Sequence, residues 1–174
     1  SKKYDIQDRI LWELFLDSAC RISAIQNLKL EQLRLEEGYF EGVKEKEGYI
    51  VNAFFFEKCK ILLKEWIKYR EDKAIFSEWL FITKYGSVYR QMSQGIIRNR
   101  IKKMGLILDI PDLYPHTLRK SSINLINNLA GLGVASSYAN HTSSNITSKH
   151  YLQKANPMEV RNNIIQLRKK LGIF

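Results

Sequence analysis

All three histidines of the chain lie in its last third, close to an arginine and a tyrosine. His116 and Arg119 are three positions apart, His141 follows them, and His150 immediately precedes Tyr151. A phenolic hydroxyl, two imidazoles and a guanidinium are the groups that a metal-free attack on a phosphodiester needs. The region therefore raises the question of whether the rest of the chain supplies a DNA-binding surface and the missing partner groups.

The segment His116-Thr117-Leu118-Arg119 places two polar side chains three positions apart. On a helix they would share one face and reach a single phosphate. The guanidinium suits that target because its donors can bind two non-bridging oxygens at once. The alternative is a histidine at a helix start beside a solvated arginine.

The composition favours a polyanionic partner. The 174 residues carry 28 Lys and Arg against 18 Asp and Glu, a formal net charge of +10, which indicates phosphate contacts. Nucleic acid is the first expectation and an anionic membrane the second.

With 45% hydrophobic residues, we expect residues 1–174 to form one globular domain. No segment has the length of a membrane span or the pattern of a signal peptide, so we expect a soluble, cytoplasmic protein.

The cysteines and carboxylates do not suggest a cofactor. Cys20 and Cys59 lie in apolar surroundings without the spacing of a zinc site or a disulfide framework, so both are expected to be buried, reduced thiols. No carboxylate cluster or Cys/His grouping suits a metal. The sequence predicts neither a metal nor another cofactor.

The first half of the chain reads as two helices followed by a hairpin. Asp5 is a plausible N-cap for the first helix, and Ser23 for a second, short helix. Residues 33–43 look extended, and residues 44–48 form a turn before an extended segment at 49–56 that is rich in β-branched and aromatic residues. This is the only sheet that the pattern predicts with a clear turn.

The second half reads as helices. They are expected at about 58–69, at 93–104, and from His116 to Gly131 or Gly133. A last helix begins at Asn156-Pro157-Met158-Glu159 and has an apolar stripe. The basic face of the helix at 93–104 could contact phosphates or be a solvated surface; its residues are Arg98, Arg100, Lys102 and Lys103.

The order of these motifs resembles the catalytic domain of the tyrosine recombinases, the phage integrase family. That family's signature is H-x-L-R, then L-G-H, then a Thr-rich segment ending in a nucleophilic tyrosine. The counterparts are residues 116–119, Ala139-Asn140-His141 and the segment 146–151 that ends in Tyr151. An earlier family segment, G-x-R-x-S-E-L, resembles residues 18–25 and supplies Arg21. The family's lysine lies at a following β-hairpin, where Lys44 and Lys46 are both candidates and we place Lys44 first.

The resemblance implies a mainly helical α+β fold with a small three-stranded antiparallel sheet, and the activity of a site-specific recombinase. Tyr151 would attack the scissile phosphate, Arg21 and Arg119 would bind its oxygens, and His141 would donate to one of them. A hairpin lysine would protonate the leaving oxygen, and His116 could accept the tyrosine proton. Neither metal nor ATP is needed. Further contacts with DNA are expected from the basic residues named above and from Lys120 and His150.

The sequence departs from the family pattern at four points. Ten positions instead of nine separate His141 from Tyr151, Asn140 replaces a glycine, and Ala24 replaces an acidic residue. The loop at residues 43–48 also lacks the family's Gly-Lys-Gly pattern around the lysine. The family also pairs this domain with an N-terminal DNA-binding domain, which we expect to lie outside this sequence.

The alternatives are a type IB topoisomerase, which shares the chemistry but relaxes DNA without a partner site, and a non-catalytic basic DNA-binding module. The expected partners are a double-stranded DNA recombination site and further copies of the chain, as a tetramer on synapsed DNA or a monomer off DNA. The C-terminal helix, within residues 155–174, either closes the domain's own core or is exchanged with a neighbouring subunit.

Overall fold

The computed structural model describes residues 5–133, residue 138 and residues 157–170. The helices in this part of the chain are α1 (Ile6–Ser18), α2 (Ile22–Gln26), α3 (Glu57–Asp72), α4 (Gln94–Ile107), α5 (Pro115–Ala130) and α6 (Pro157–Lys170). The strands are β1 (Leu33–Arg34), β2 (Tyr39–Lys44), β3 (Ile50–Phe54), β4 (Ile82–Tyr85) and β5 (Val88–Gln91). The expected mainly helical α+β class is confirmed.

Helix α1 runs through the centre of the fold. The carboxylate of Asp5 caps it by accepting a hydrogen bond of 3.1 Å from the backbone N–H of Gln7, as the sequence predicts. Its buried side chains pack between α3, α4, α5 and β3. The helix ends where Ala19 adopts a left-handed conformation (φ 50°), and this sharp end directs the following residues toward the functional site.

The predicted hairpin is part of an antiparallel sheet with the strand order β1-β2-β3. The segment that looks extended at 33–43 is divided by a turn, because Gly38 adopts a left-handed φ of 82° and its N–H donates to the carbonyl of Arg34. The register between β2 and β3 shifts between Phe40 and Val43, and β2 continues through Lys44. Lys44 is therefore a strand residue and not part of the turn.

A second hairpin, β4–β5, was not predicted. Its strands pair from Ile82 with Gln91 to Tyr85 with Val88, and Gly86 occupies the turn with φ 60°. The signal was present, since the segment contains β-branched and aromatic residues around a glycine. The segment lacks the continuous apolar run that identifies β3 in the sequence, in keeping with the exposure of several of its side chains.

Helix α2 begins at Ile22, two residues earlier than a cap at Ser23 implies, so its predicted cap is wrong. Arg21 occupies the N-cap position with an extended backbone and makes no capping hydrogen bond with its side chain. Ser23 lies inside the helix, where its hydroxyl accepts a hydrogen bond from the backbone N–H of Lys46 at 3.3 Å. This serine therefore holds the β2–β3 loop against α2.

The other predicted helices are present with bounds shifted by a few residues, and Cys20 and Cys59 are buried free thiols as expected.

Helix α6 packs on its own chain, where Ile165 contacts a cluster formed by Ala19, Phe54, Phe56 and Tyr138. The predicted cap Asn156 lies outside the described residues. Over the described part of the chain, each helix is too short or too polar to cross a membrane.

Candidate active site

A surface cleft of about 450 Å³ brings together four segments that are distant in sequence. They are the α1–α2 junction, the β2–β3 loop, the start of α4 and the start of α5. We call it the arginine cleft; it is lined by Cys20, Arg21, Ile22, Ser23, Lys46, Glu47, Gln94, Arg98, Pro115, His116 and Arg119. Four of the predicted catalytic residues are in this set.

Helix α5 supplies His116 and Arg119. The helix begins with Pro115, and the hydroxyl of Thr117 accepts a hydrogen bond of 2.9 Å from the backbone N–H of Tyr114, which stabilises the first turn. His116 in this turn is exposed, whereas Leu118 faces the core. His116 and Arg119 are three positions apart, so both reach the cleft from one helix face.

Arg119 is anchored to the end of α1. Its Nε donates a hydrogen bond of 2.7 Å to the carbonyl oxygen of Ala19. Burial lowers the pKa of this guanidinium, and the positive charge of Arg21 lowers it further. Two arginines therefore lie close enough to repel each other, an arrangement that favours the binding of an anion between them.

Arg21 follows the left-handed turn at Ala19 and projects from the N-cap position of α2. Its Nη1 lies 3.5 Å from Oε2 of Glu45, and its side chain is 43% exposed, whereas that of Glu45 is fully buried. The guanidinium thus lies against a buried carboxylate at the edge of the cleft.

The structure brings Lys46, and not Lys44, into the arginine cleft. Lys46 begins a short turn, Lys46–Gly48, whose position is fixed by the hydrogen bond to Ser23. Lys44 ends β2 with an exposed side chain, and its carbonyl accepts a hydrogen bond of 2.8 Å from Nδ2 of Asn27. The sequence-based preference for Lys44 over Lys46 does not fit this geometry.

The predicted DNA-binding residues occupy different positions. Arg98 lines the cleft and donates to Oε1 of Gln94 at 3.1 Å, while Lys102, Lys103 and Lys120 are exposed. Arg100 instead binds two carboxylates at the start of α1, those of Asp5 at 2.9 Å and Asp8 at 2.8 Å. Its guanidinium ties α4 to α1, so the geometry favours a structural role.

His141, His150 and Tyr151 lie outside the described residues. Among the residues that are described, no three His, Cys, Asp or Glu side chains cluster as metal ligands would. The described part of the cleft contains one imidazole, one ammonium group and three guanidinium groups, those of His116, Lys46, Arg21, Arg98 and Arg119. Hydrogen-bond donors of this kind suit the binding of a phosphate group.

Sequence reasoning missed two residues near the cleft. Gln94, in the first turn of α4, lines it, and Glu45 is buried behind it next to Arg21. The charged segment Lys44-Glu45-Lys46-Glu47-Gly48 looks like a solvated turn, and nothing in its composition indicates that one of its carboxylates is buried. Glu45 is buried and its charged neighbours are exposed because of the way the loop packs on α2, which the sequence does not show.

The family model described as the phage integrase family matches residues 1–157 of this sequence. The chain belongs to this family. The match covers the arginine cleft together with the segment that contains His141 and Tyr151, so the resemblance carried by the motifs is confirmed.

The chain is also similar to an individual tyrosine recombinase. Tyrosine recombinase XerA of Saccharolobus solfataricus is 29% identical over 121 residues, which are 68% of this chain and 36% of the relative. The chain thus aligns with about a third of that protein's length.

Solved structures of integrase-family proteins share the fold. The XerH site-specific recombinase bound to its difH substrate superposes with a TM-score of 0.66 at 20% identity, covering 87% of this chain and 44% of the other. The Tn1549 transposon integrase, in complex with transposon right end DNA, gives a TM-score of 0.58 at 16% identity, covering 95% and 60%. At these identities the likeness establishes the fold.

Proposed function

We propose that this chain is the catalytic domain of a site-specific tyrosine recombinase, which cuts and rejoins DNA through a 3′-phosphotyrosyl intermediate. The observation that carries the proposal is the convergence of Arg21, Lys46, His116 and Arg119 on one cleft from separate parts of the chain. Family membership supports the same conclusion, and no observation favours a topoisomerase or a non-catalytic module.

In the proposed reaction, Tyr151 attacks the scissile phosphate and the 5′ oxygen of the next nucleotide leaves. Arg21 and Arg119 bind the non-bridging oxygens, where negative charge develops in the transition state. His141 donates to one of these oxygens. The phosphodiester energy is conserved in the phosphotyrosyl bond, so a 5′-hydroxyl of another strand can reverse the step without ATP.

Two proton transfers complete the step. A phenol of ordinary pKa is a poor nucleophile at neutral pH, so its proton must be removed, and exposed His116 is the group that we assign to this role. Lys46 protonates the leaving 5′ oxygen, because it is the hairpin lysine that lines the cleft. Both groups line the same cleft and come from different elements, the β2–β3 loop and α5.

The proposed partner is double-stranded DNA. Arg98 lines the cleft, and the exposed Lys102, Lys103 and Lys120 extend the positive surface along α4 and α5. The XerH and Tn1549 proteins were solved as complexes with DNA, which supports this assignment. We further propose a DNA-associated protein of a prokaryotic cell or mobile element that assembles into a tetramer on synapsed sites, with α6 as the element available for exchange.

A suicide substrate tests the proposal. A duplex carrying the recombination site is nicked near the cleavage position, so that the short 5′-hydroxyl fragment dissociates and the covalent complex accumulates. We expect a protein–DNA adduct resistant to denaturant, and its loss in Tyr151→Phe. Tyr85→Phe, a change at an exposed tyrosine of β4, should still form the adduct.

The result also separates the alternatives. No adduct from the wild-type protein on its own site would contradict the proposal and favour a binding module. An adduct accompanied by relaxation of supercoiled plasmid that lacks any recombination site would favour a topoisomerase instead.

A further inference from the structure

Glu45 is a buried acidic residue directly behind a cleft whose other charges are mostly positive. Its side chain is fully buried, and the backbone N–H of Arg21 acts on its carboxylate as a hydrogen-bond donor. The neighbouring cation is Arg21, with Nη1 3.5 Å from Oε2. Burying a carboxylate is costly to the fold unless neighbouring charges and donors compensate it, so its presence needs an explanation in terms of its neighbours.

The backbone holds Glu45 in this position. Its N–H donates to the carbonyl of Tyr49 at 2.7 Å, and its carbonyl accepts from the N–H of Gly48 at 3.3 Å. The next residue, Lys46, is bound through its own N–H to Ser23. Adjacent residues of one tight loop therefore place a carboxylate behind the cleft and an ammonium group in it.

Charge explains what the carboxylate does there. Burial raises the pKa of Glu45, while the positive charges of Arg21 and Arg119 act to lower it. Arg119, in turn, has its pKa lowered by burial and then by Arg21. The two guanidinium groups repel each other when no phosphate lies between them, and Glu45 is the buried negative charge that interacts with both.

We propose that Glu45 is a positioning residue, and this inference rests on the proposed function. Its carboxylate is the internal counter-ion that keeps the guanidinium groups of Arg21 and Arg119 oriented toward the phosphate site before DNA binds. Such pre-organisation lowers the reorganisation needed when charge develops on the phosphate. The ion pair of 3.5 Å holds the guanidinium of Arg21 beside the buried carboxylate.

The first test is single-turnover cleavage of the suicide substrate at saturating DNA. Glu45→Gln keeps the shape of the side chain and removes the charge, and we expect the rate constant to fall about tenfold or more. Glu41→Gln is the matched control, since Glu41 is on the same hairpin and pairs with Arg34 at 2.7 Å on the exposed surface. A purely structural role would lower the amplitude, which reports folded protein, and leave the rate constant unchanged.

The second test does not depend on activity. In arginine side-chain NMR, the Nε–H of Arg119 should exchange slowly because Ala19 accepts its hydrogen bond. We expect faster exchange in Glu45→Gln and no change in Glu41→Gln. If the wild-type protein cleaves no DNA, the proposed function fails, and this measurement alone decides the role of Glu45.

Two results would overturn the inference: an unchanged cleavage rate constant in folded Glu45→Gln, or unchanged exchange at Arg119. If Glu45→Gln does not fold, Glu45→Asp replaces it in both measurements. This variant keeps the charge but withdraws it from Arg21 by one methylene, so a smaller loss of rate and of protection is expected. Wild-type values for both would also overturn the inference.

Discussion

Nε of Arg119 donates a hydrogen bond of 2.7 Å to the carbonyl oxygen of Ala19, a residue one hundred positions earlier in the chain. This bond joins α5 to the left-handed end of α1, and Arg21 follows only two residues later. This tertiary contact therefore holds Arg119 next to the turn that carries Arg21. Nε of Arg119 is bound to the protein, and the residue lines the cleft.

We expect Arg119→Lys to lower the single-turnover rate of cleavage by about a hundredfold or more, because an ammonium group cannot bind Ala19 and two phosphate oxygens at the same time. Thermal unfolding should change little. Arg34→Lys, which alters an arginine paired on the exposed surface, is the control and should cleave normally. Equal rates for Arg119→Lys and the wild-type protein would show that the guanidinium is not required.

The two hairpin lysines can be separated by the chemistry of the leaving group. Lys46→Ala should slow cleavage of an ordinary phosphodiester by about 10²-fold or more, because a general acid is lost. A substrate with sulfur at the 5′-bridging position has a leaving group that needs no proton, so it should restore the rate.

Lys44→Ala is the matched control for the Lys46 experiment and should cleave both substrates at close to the wild-type rate, since Lys44 lies outside the cleft lining. The assignment would be reversed if Lys44→Ala were the slow variant and the sulfur substrate rescued it. Arg119→Lys should not be rescued, because its defect concerns the non-bridging oxygens.

Gly38 and Gly42 provide a matched pair for testing how α6 is held. Both have a left-handed φ, 82° and 65°, but a Cβ at 38 would overlap the guanidinium of Arg161 in α6, whereas one at 42 would meet nothing. Gly42→Ala should cost about 1 kcal/mol from backbone strain. Gly38→Ala should cost about 1 kcal/mol more, because Arg161 loses its hydrogen bonds to the carbonyls of Gly38 and Phe55.

Urea unfolding of the two glycine variants measures this difference. Adding Arg161→Ala to each should remove the excess cost at position 38 and leave position 42 unaffected. If the excess persists without the arginine side chain, α6 is not held by this contact.

The stability of the fold should depend on pH through Asp17. Burial raises the pKa of this carboxyl from 3.8 to about 6, against the opposing effects of Arg168, 3.0 Å away, and of the backbone N–H of Phe56. Because the folded pKa lies above the unfolded one, the folded state binds the proton more tightly. The stabilising contribution is therefore complete below about pH 4 and is lost as the pH rises through about 6.

We expect the free energy of unfolding to fall by about 2 kcal/mol more in the wild-type protein than in Asp17→Asn between pH 4 and 7. Urea titrations at one-unit intervals measure this difference. Asp72→Asn, a change at an exposed carboxylate, should follow the wild-type curve. Parallel curves for wild type and Asp17→Asn would contradict the prediction.

The sequence by itself determined the local features of this protein. The cap at Asp5, the apolar periodicity of the helices and the β-branched run of β3 are decided by neighbouring residues, so they could be predicted without the fold. The motif order, from Arg21 to the segment ending in Tyr151, was sufficient to indicate the family. These features depend on the residue types and on the number of positions between them, both of which can be read from the sequence.

Tertiary structure decided which charged residues share one environment. Lys44 and Lys46 are equivalent in sequence, and Glu45 and Glu47 both look solvated, yet the packing of one loop on Ser23 brings Lys46 to the cleft and buries Glu45. Arg100 looks like its neighbours on α4 until Asp5 and Asp8 are seen to bind it. Charges act through distance in space, and that distance is set by contacts between residues far apart in the chain.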